Sequence, residues 1–163
     1  MAQRSRLEGA ALVLLRTLIG WHFLYEGYFK LSIPGWTRGG APLGPWSASG
    51  YLKAATGPLA GVFHALGQSA YAGWVDHLVP IGLVLVGVSL MLGLLTQVGL
   101  WGALGFLTLF YLSAIPTDGV PRPGNEGTYL LVSKTLIEWA AVAVLLTART
   151  GDIAGLDVLR RRT

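Results

Sequence analysis

From Leu78 to Thr117 the chain runs for 40 residues without a charged side chain. As a single helix at about 1.5 Å per residue, that run would be about 60 Å long, twice the roughly 30 Å of hydrocarbon in a bilayer. It therefore reads as two crossings joined by a tight hairpin at Thr96-Gln97. One span is expected over Trp74–Leu95 and the next over Val98–Ile115. Pro116 ends the latter, because proline cannot extend a helix and restrains the residue before it. Composition agrees: of 163 residues 53% are hydrophobic and 12% charged, against about 25% charged in a typical soluble domain. So few polar groups cannot cover a soluble domain of this size. Disorder is excluded too, since it requires low hydrophobicity and high charge.

Two further spans flank the run, Leu7–Leu31, which stops before Pro34-Gly35, and Thr128–Thr147. The expectation is an all-α, four-helix transmembrane bundle forming a single domain over 1–163. Arg4, Arg6, Arg149, Arg160, Arg161 and Arg162 gather at the two ends, whereas the loop Thr117–Gly127 carries only Arg122 and the segment Ser32–Gly73 only Arg38 and Lys53. The positive-inside bias places both termini in the cytoplasm. A cleaved signal peptide is not expected, because Arg16 interrupts the first apolar stretch and no small-residue cleavage site follows. Ser32–Gly73 is rich in Gly and Pro, yet Leu59, Val62, Phe63 and Leu66 mark one face of a short helix. One or two helical pieces on the outer membrane surface are expected there. Tyr71 and Trp74 suit the aromatic belt at the entry of the second span. Ser89 with Gly93, and Gly99 with Ala103, suit close helix packing.

The chain has no cysteine. Thiol–disulfide exchange, thiolate zinc sites and iron–sulfur clusters held by this chain are excluded. The net charge of +4 belongs to topology and to anionic headgroups rather than to nucleic acid. The bilayer itself is the first expected partner. No phosphate-binding glycine loop, hydrolase elbow or serine–histidine–acid pattern is present.

The informative residues are the ionisable ones within the spans, each costly in hydrocarbon unless it has a partner, a cavity or a route to the interface. In the first span Arg16, His22, Glu26 and Lys30 share one face. With Glu26 at zero and 100° per residue, His22 lies near −40°, Lys30 near +40° and Arg16 near +80°, an arc of about 120°. Glu26 and Lys30 form an i, i+4 pair in the favourable order, acid first. The fourth span carries Lys134 and Glu138, again four apart. If the two charged faces meet, the bundle encloses a polar seam, with hydroxyls available from Tyr25, Tyr28, Tyr111 and Tyr129 and an apolar wall from the second and third spans. Such a seam suits an amphipathic ligand with a polar head. In the competing reading, Glu26–Lys30 and Lys134–Glu138 are structural ion pairs that set helix register, while Arg16 and Lys30 snorkel to the headgroups.

His22 and Glu26 also have the spacing of a helical metal-ligand pair, but no second pair lies at matching depth, so no metal site is expected. No flavin site is evident, and haem lacks a second axial ligand within the bundle. His64 reads as interfacial and His77 as a helix-end residue beside Asp76. Asp118, Arg122, Asn125 and Glu126 read as solvated loop residues, with Asp118 and Glu126 near the outer mouth of the seam.

Several stretches together resemble the DoxX family. They are Arg16 with Leu18–Gly20, Tyr25-Glu26-Gly27-Tyr28-Phe29-Lys30-Leu31, Gly50-Tyr51-Leu52 with Gly57-Pro58, Gly82–Thr96, and Asn125-Glu126-Gly127 followed by Tyr129–Lys134 and Ile137-Glu138. Within that family the likeness is to the DoxD branch, the membrane subunit of thiosulfate:quinone oxidoreductase. The resemblance implies a four-helix membrane protein of the bacterial or archaeal inner (cytoplasmic) membrane, acting as a subunit beside other membrane proteins. It also implies oxidation of thiosulfate with electrons passed to quinone as the cofactor. On that reading Arg16, His22, Lys30 and Lys134 bind the ligand, and Glu26 and Glu138 carry protons. The alternative is a non-catalytic accessory subunit of a larger respiratory or photosynthetic membrane complex. A transporter or proton pathway through the seam ranks last, because inverted repeats and broken helices are not visible.

Overall fold

A computed structural model of the chain describes residues 5–31, 46–115, 128–129 and 131–160. Arg38, Asp118, Arg122, Asn125 and Glu126, and the stops expected at Pro34-Gly35 and Pro116, lie outside the described residues, as does the side chain of Tyr129. The protein is all-α, with helices α1 (Arg6–Lys30), α2 (Ala48–Lys53), α3 (Ala60–Gln68), α4 (Ala72–Leu92), α5 (Thr96–Ser113), α6 (Lys134–Ala148) and α7 (Leu156–Arg160). By length and composition α1 and α4 are long and apolar enough to cross a membrane.

Helix α1 starts in a capping box: the Glu8 N–H donates to Ser5 Oγ at 3.1 Å, and the Ser5 N–H to the Glu8 carboxylate at 3.0 Å. Its main partner is α4. Glycines permit that approach. A Cβ on Gly27 would lie 2.7 Å from the Val84 nitrogen, and one on Gly20 2.9 Å from the Met91 nitrogen. Gly87 is pressed against the Leu24 backbone from the other side. The buried core joins α1, α4, α5 and α6 through Ile19, Phe23, Leu83, Leu90, Leu100, Leu104, Val142 and Leu145.

Helices α4 and α5 meet in a tight hairpin at Gly93–Leu95, just before the expected break, so that Thr96-Gln97 instead open α5. Gly93 ends α4 in the left-handed region at φ 62°, and Leu95 follows at φ 51°. Leu95 offers α5 no side-chain cap. The cap comes instead from the C-terminal segment: Leu95 N–H and Thr96 N–H each donate to the Asp157 carboxylate at 2.8 Å. The Asp157 N–H in turn donates to Gly93 O at 2.8 Å. The segment comes so near that a Cβ on Gly155 would sit 2.7 Å from Gly93 Cα, and Gly155 itself holds φ 127°.

The fourth long helix starts later than expected, at Lys134 rather than Thr128. Thr128–Tyr129 and Val132–Ser133 form a two-residue antiparallel ribbon. The run is locally rich in strand formers, Tyr129, Val132 and Thr128. Ser133 then supplies the stop, accepting the Leu136 N–H at 3.3 Å as N-cap. Within the outer segment, α2 and α3 are the expected short helices. Asp76 of α4 accepts the Ala48 N–H at 2.6 Å at the start of α2. Thr56 bonds the end of α5, with its N–H on Ser113 O and its hydroxyl on Ile115 O, both at 2.9 Å. His64 bonds back to Ala55 O at 3.0 Å. The segment is thereby fastened across the start of α4 and the end of α5.

Candidate functional site

Beneath α2 and α3 the four long helices enclose a cavity of about 670 Å³, within the range that holds a cofactor-sized ligand. Its walls are apolar: Val79 and Leu83 from α4, Phe106 and Phe110 from α5, Phe63 and Leu66 from α3. Polar side chains converge along one edge, His22, Glu26 and Lys30 from α1 and Glu138 with Thr135 from α6. A smaller hollow of about 420 Å³ beside Gly9, Val13 and Ile153 carries no titratable side chain, so the larger cavity is the candidate site.

At the polar edge the structure brings together four of the six residues singled out from the sequence. His22 Nδ1 and Glu138 Oε1 are 2.7 Å apart, bridging α1 and α6. Antiparallel packing accounts for this meeting. His22 lies eight residues before the end of α1 and Glu138 four residues after the start of α6, so both sit about one to two turns from the neighbouring ends of these helices. Lys30 pairs with Glu26 on α1, and the Lys30 Nζ stands 5.9 Å from the centre of the Trp46 ring, within cation–π range.

The other two residues go elsewhere. Lys134 is exposed at the first position of α6 and does not line the cavity. Glu138, expected to pair with it, is turned to His22. Arg16 is 2% exposed, and its Nη1 donates to Thr150 O at 3.1 Å and to Ala154 O at 2.8 Å. It does not line the cavity; it binds the carbonyls of the C-terminal segment. Axial depth explains the split. Arg16 lies six residues before His22, about 9 Å down the helix axis, and its long side chain covers the remaining distance to the turn after α6. Among the tyrosines, Tyr111 donates to Leu131 O at 2.8 Å, while Tyr25 and Tyr28 pack against Phe29.

Sequence reasoning missed three features. Trp46 and the α5 phenylalanines lie in stretches whose apolarity carried no sign of which face turns inward. Asp157 bonds a turn some 60 residues away, which no local pattern announces. The His22–Glu138 pairing was legible from the depths of the two residues, but the competing i, i+4 partner on the same helix obscured it. Among the described residues no group of three or more His, Asp or Glu side chains gathers as for a metal ion.

What the fold and site define is an all-helical protein with two helices able to cross a membrane and an apolar cavity edged on one side by a histidine–carboxylate pair. No family model, no curated protein and no solved structure matches the chain.

Proposed function

We propose that the protein is an integral membrane subunit of quinone-linked redox chemistry, with α1, α4, α5 and α6 crossing the bilayer and both termini in the cytoplasm. One observation carries the reading: a cavity with apolar walls and a single polar edge, at the outer end of the long helices. Its chemistry fits a quinone. The ring and prenyl tail match Phe63, Phe106, Phe110 and Leu83, and the ring oxygens match the edge formed by His22, Glu138, Glu26 and Lys30. A quinone supplies acceptance of two electrons and two protons. The chain's own residues hold the head and exchange protons at the His22 and Glu138 side chains. The resemblance to the DoxX family makes thiosulfate the first electron donor to examine, with quinone as acceptor.

The alternative, an accessory subunit of a larger membrane complex, draws on one fact. The charged groups at the cavity edge are paired with each other, His22 with Glu138 and Glu26 with Lys30, as a purely structural network would be.

The test is turnover in a lipid nanodisc. Thiosulfate-dependent reduction of decylubiquinone is followed for wild type and for Glu138→Gln, with circular dichroism to verify folding. The expected result is loss of most activity in the folded variant. Equal turnover in the two would remove Glu138 from the chemistry. A wild type that neither reduces nor binds quinone, but purifies only inside a larger complex, would establish the accessory reading instead.

A further inference from the structure

Within the cavity, the two ring nitrogens of His22 are not equivalent. Nδ1 is held by Glu138 Oε1 at 2.7 Å across the α1–α6 interface. Among the described residues Nε2 has no hydrogen-bond partner, although the imidazole lines the cavity. A carboxylate accepts, so the hydrogen of a neutral imidazole resides on Nδ1. Nε2 then keeps a lone pair, in the arrangement by which a second group sets the tautomer of a histidine. The remaining ionised groups at the edge, Glu26 and Lys30, neutralise each other through their own contact.

We propose that His22 Nε2 is the atom that recognises the ligand head, and that it recognises a hydroxyl: the cavity selects a hydroquinone-type phenolic head over a head of the same shape without an O–H. Glu138 is the positioning residue, holding the ring in the tautomer that accepts. The proton balance is simple. When the ligand's O–H bond breaks, the oxygen keeps the electron pair, the proton forms the Nε2–H bond, and the resulting imidazolium stays paired with the Glu138 carboxylate. In reverse, the protonated ring donates from Nε2 to a ligand oxygen. No electron moves in this step. The inference rests on the reading of the cavity as an amphipathic-ligand site and names the chemistry by which the head is held.

The experiment compares two probes in nanodiscs under reducing, anaerobic conditions by titration calorimetry, with empty nanodiscs as blank. One probe is a decyl-substituted hydroquinone; the other is its dimethyl ether, which keeps the ring and the tail, has no hydroxyl donor and is larger by two methyl groups. Wild type is expected to bind the hydroquinone about tenfold more tightly than the ether, the worth of one well-made hydrogen bond. His22→Phe should bind both alike, with affinity for the ether unchanged. Glu138→Gln, which can bond either imidazole tautomer, should lower the preference severalfold and again leave the ether untouched, a pattern that a merely structural role would not produce. His22→Gln retains an acceptor oxygen and should keep part of the preference, which covers the case in which the phenylalanine variant does not fold. Equal binding of both probes by wild type, or a preference that survives in His22→Phe, overturns the inference while leaving the cavity a ligand site. Failure of wild type to bind either probe overturns the inference and the cavity reading together.

Discussion

Arg16 and His22 sit on the same helix face and do different work. Six residues of axial separation take one to the cavity edge and the other to the turn beyond α6. The Arg16 guanidinium is buried against the backbone carbonyls of Thr150 and Ala154, with the Asp157 carboxylate as its nearby opposite charge. Replacing it removes two charge-assisted hydrogen bonds; Thr150 O keeps the N–H groups of Ile153 and Ala154, whereas Ala154 O loses its side-chain donor. Arg16→Met should therefore destabilise the protein by about 2–4 kcal/mol, read as a lowered unfolding midpoint in nanodiscs, while hydroquinone affinity stays at the wild-type value. A variant as stable as wild type would show the contact to be energetically idle. Loss of affinity at unchanged stability would return Arg16 to the ligand site. From the sequence, the cost of a charge in hydrocarbon identified Arg16, His22, Glu26 and Glu138 as residues needing partners. It identified Lys30 as the partner of Glu26, which the fold shows, but not those of Arg16, because they are carbonyls and every residue has a carbonyl.

Among elements, α5 shows how a helix can be dictated by its composition and yet depend on a distant residue. The apolar run made α5 legible, with bounds displaced by two residues at each end. Its first turn, however, is satisfied by Asp157, 62 residues from Leu95. Burial acts to raise the Asp157 carboxyl. The N–H groups of Thr96 and Leu95, aided by the charge of Arg160, outweigh that and hold it below the ordinary carboxylate value. The sign of the linkage follows. A depressed folded-state pKa contributes stability at pH values above the unfolded-state value, near 4, and that contribution is lost as pH falls through the depressed value. Asp157→Asn keeps one acceptor oxygen and loses the bond to the second N–H, which is expected to cost about 1 kcal/mol at neutral pH. It should also show a shallower decline of the thermal midpoint on acidification below about pH 4. Parallel acid curves for variant and wild type, with equal neutral midpoints, would show that the cap contributes nothing. The fourth span teaches the reverse lesson: Thr128–Ser133 reads as helix by its average apolarity, but β-favouring side chains and the Ser133 cap start α6 only at Lys134.

At the scale of the molecule, the segment between α1 and α4 makes the site. Four long helices alone would leave the upper end of the bundle open. Asp76 and Thr56 fasten α2 and α3 over it, and Phe63 and Leu66 then become the cavity's roof. Orientation is testable directly, because the chain lacks cysteine and single thiols can be introduced without removing others. Lys53→Cys in α2 should react with a membrane-impermeant maleimide applied to intact cells. Arg160→Cys in α7 should react only after permeabilisation. The opposite pattern would invert the proposed topology and place the cavity on the cytoplasmic side.

The sequence by itself determined that this chain is helical and suited to a bilayer. Hydrophobicity is a property of composition and accumulates residue by residue, so a 40-residue run without charge leaves little else to build. It also determined which side chains needed an explanation, since the cost of an ionised group in an apolar setting does not depend on the fold. Only the tertiary structure decided who meets whom: His22 with Glu138 rather than Glu138 with Lys134, Arg16 with two carbonyls, Asp157 with a distant helix start. Those pairings depend on the axial offset between helices and on the path of the chain between them. Both are set by packing at Gly20, Gly27 and Gly87 and by the close approach of Gly93 to Gly155, which are properties of the assembled helices and not of any one segment.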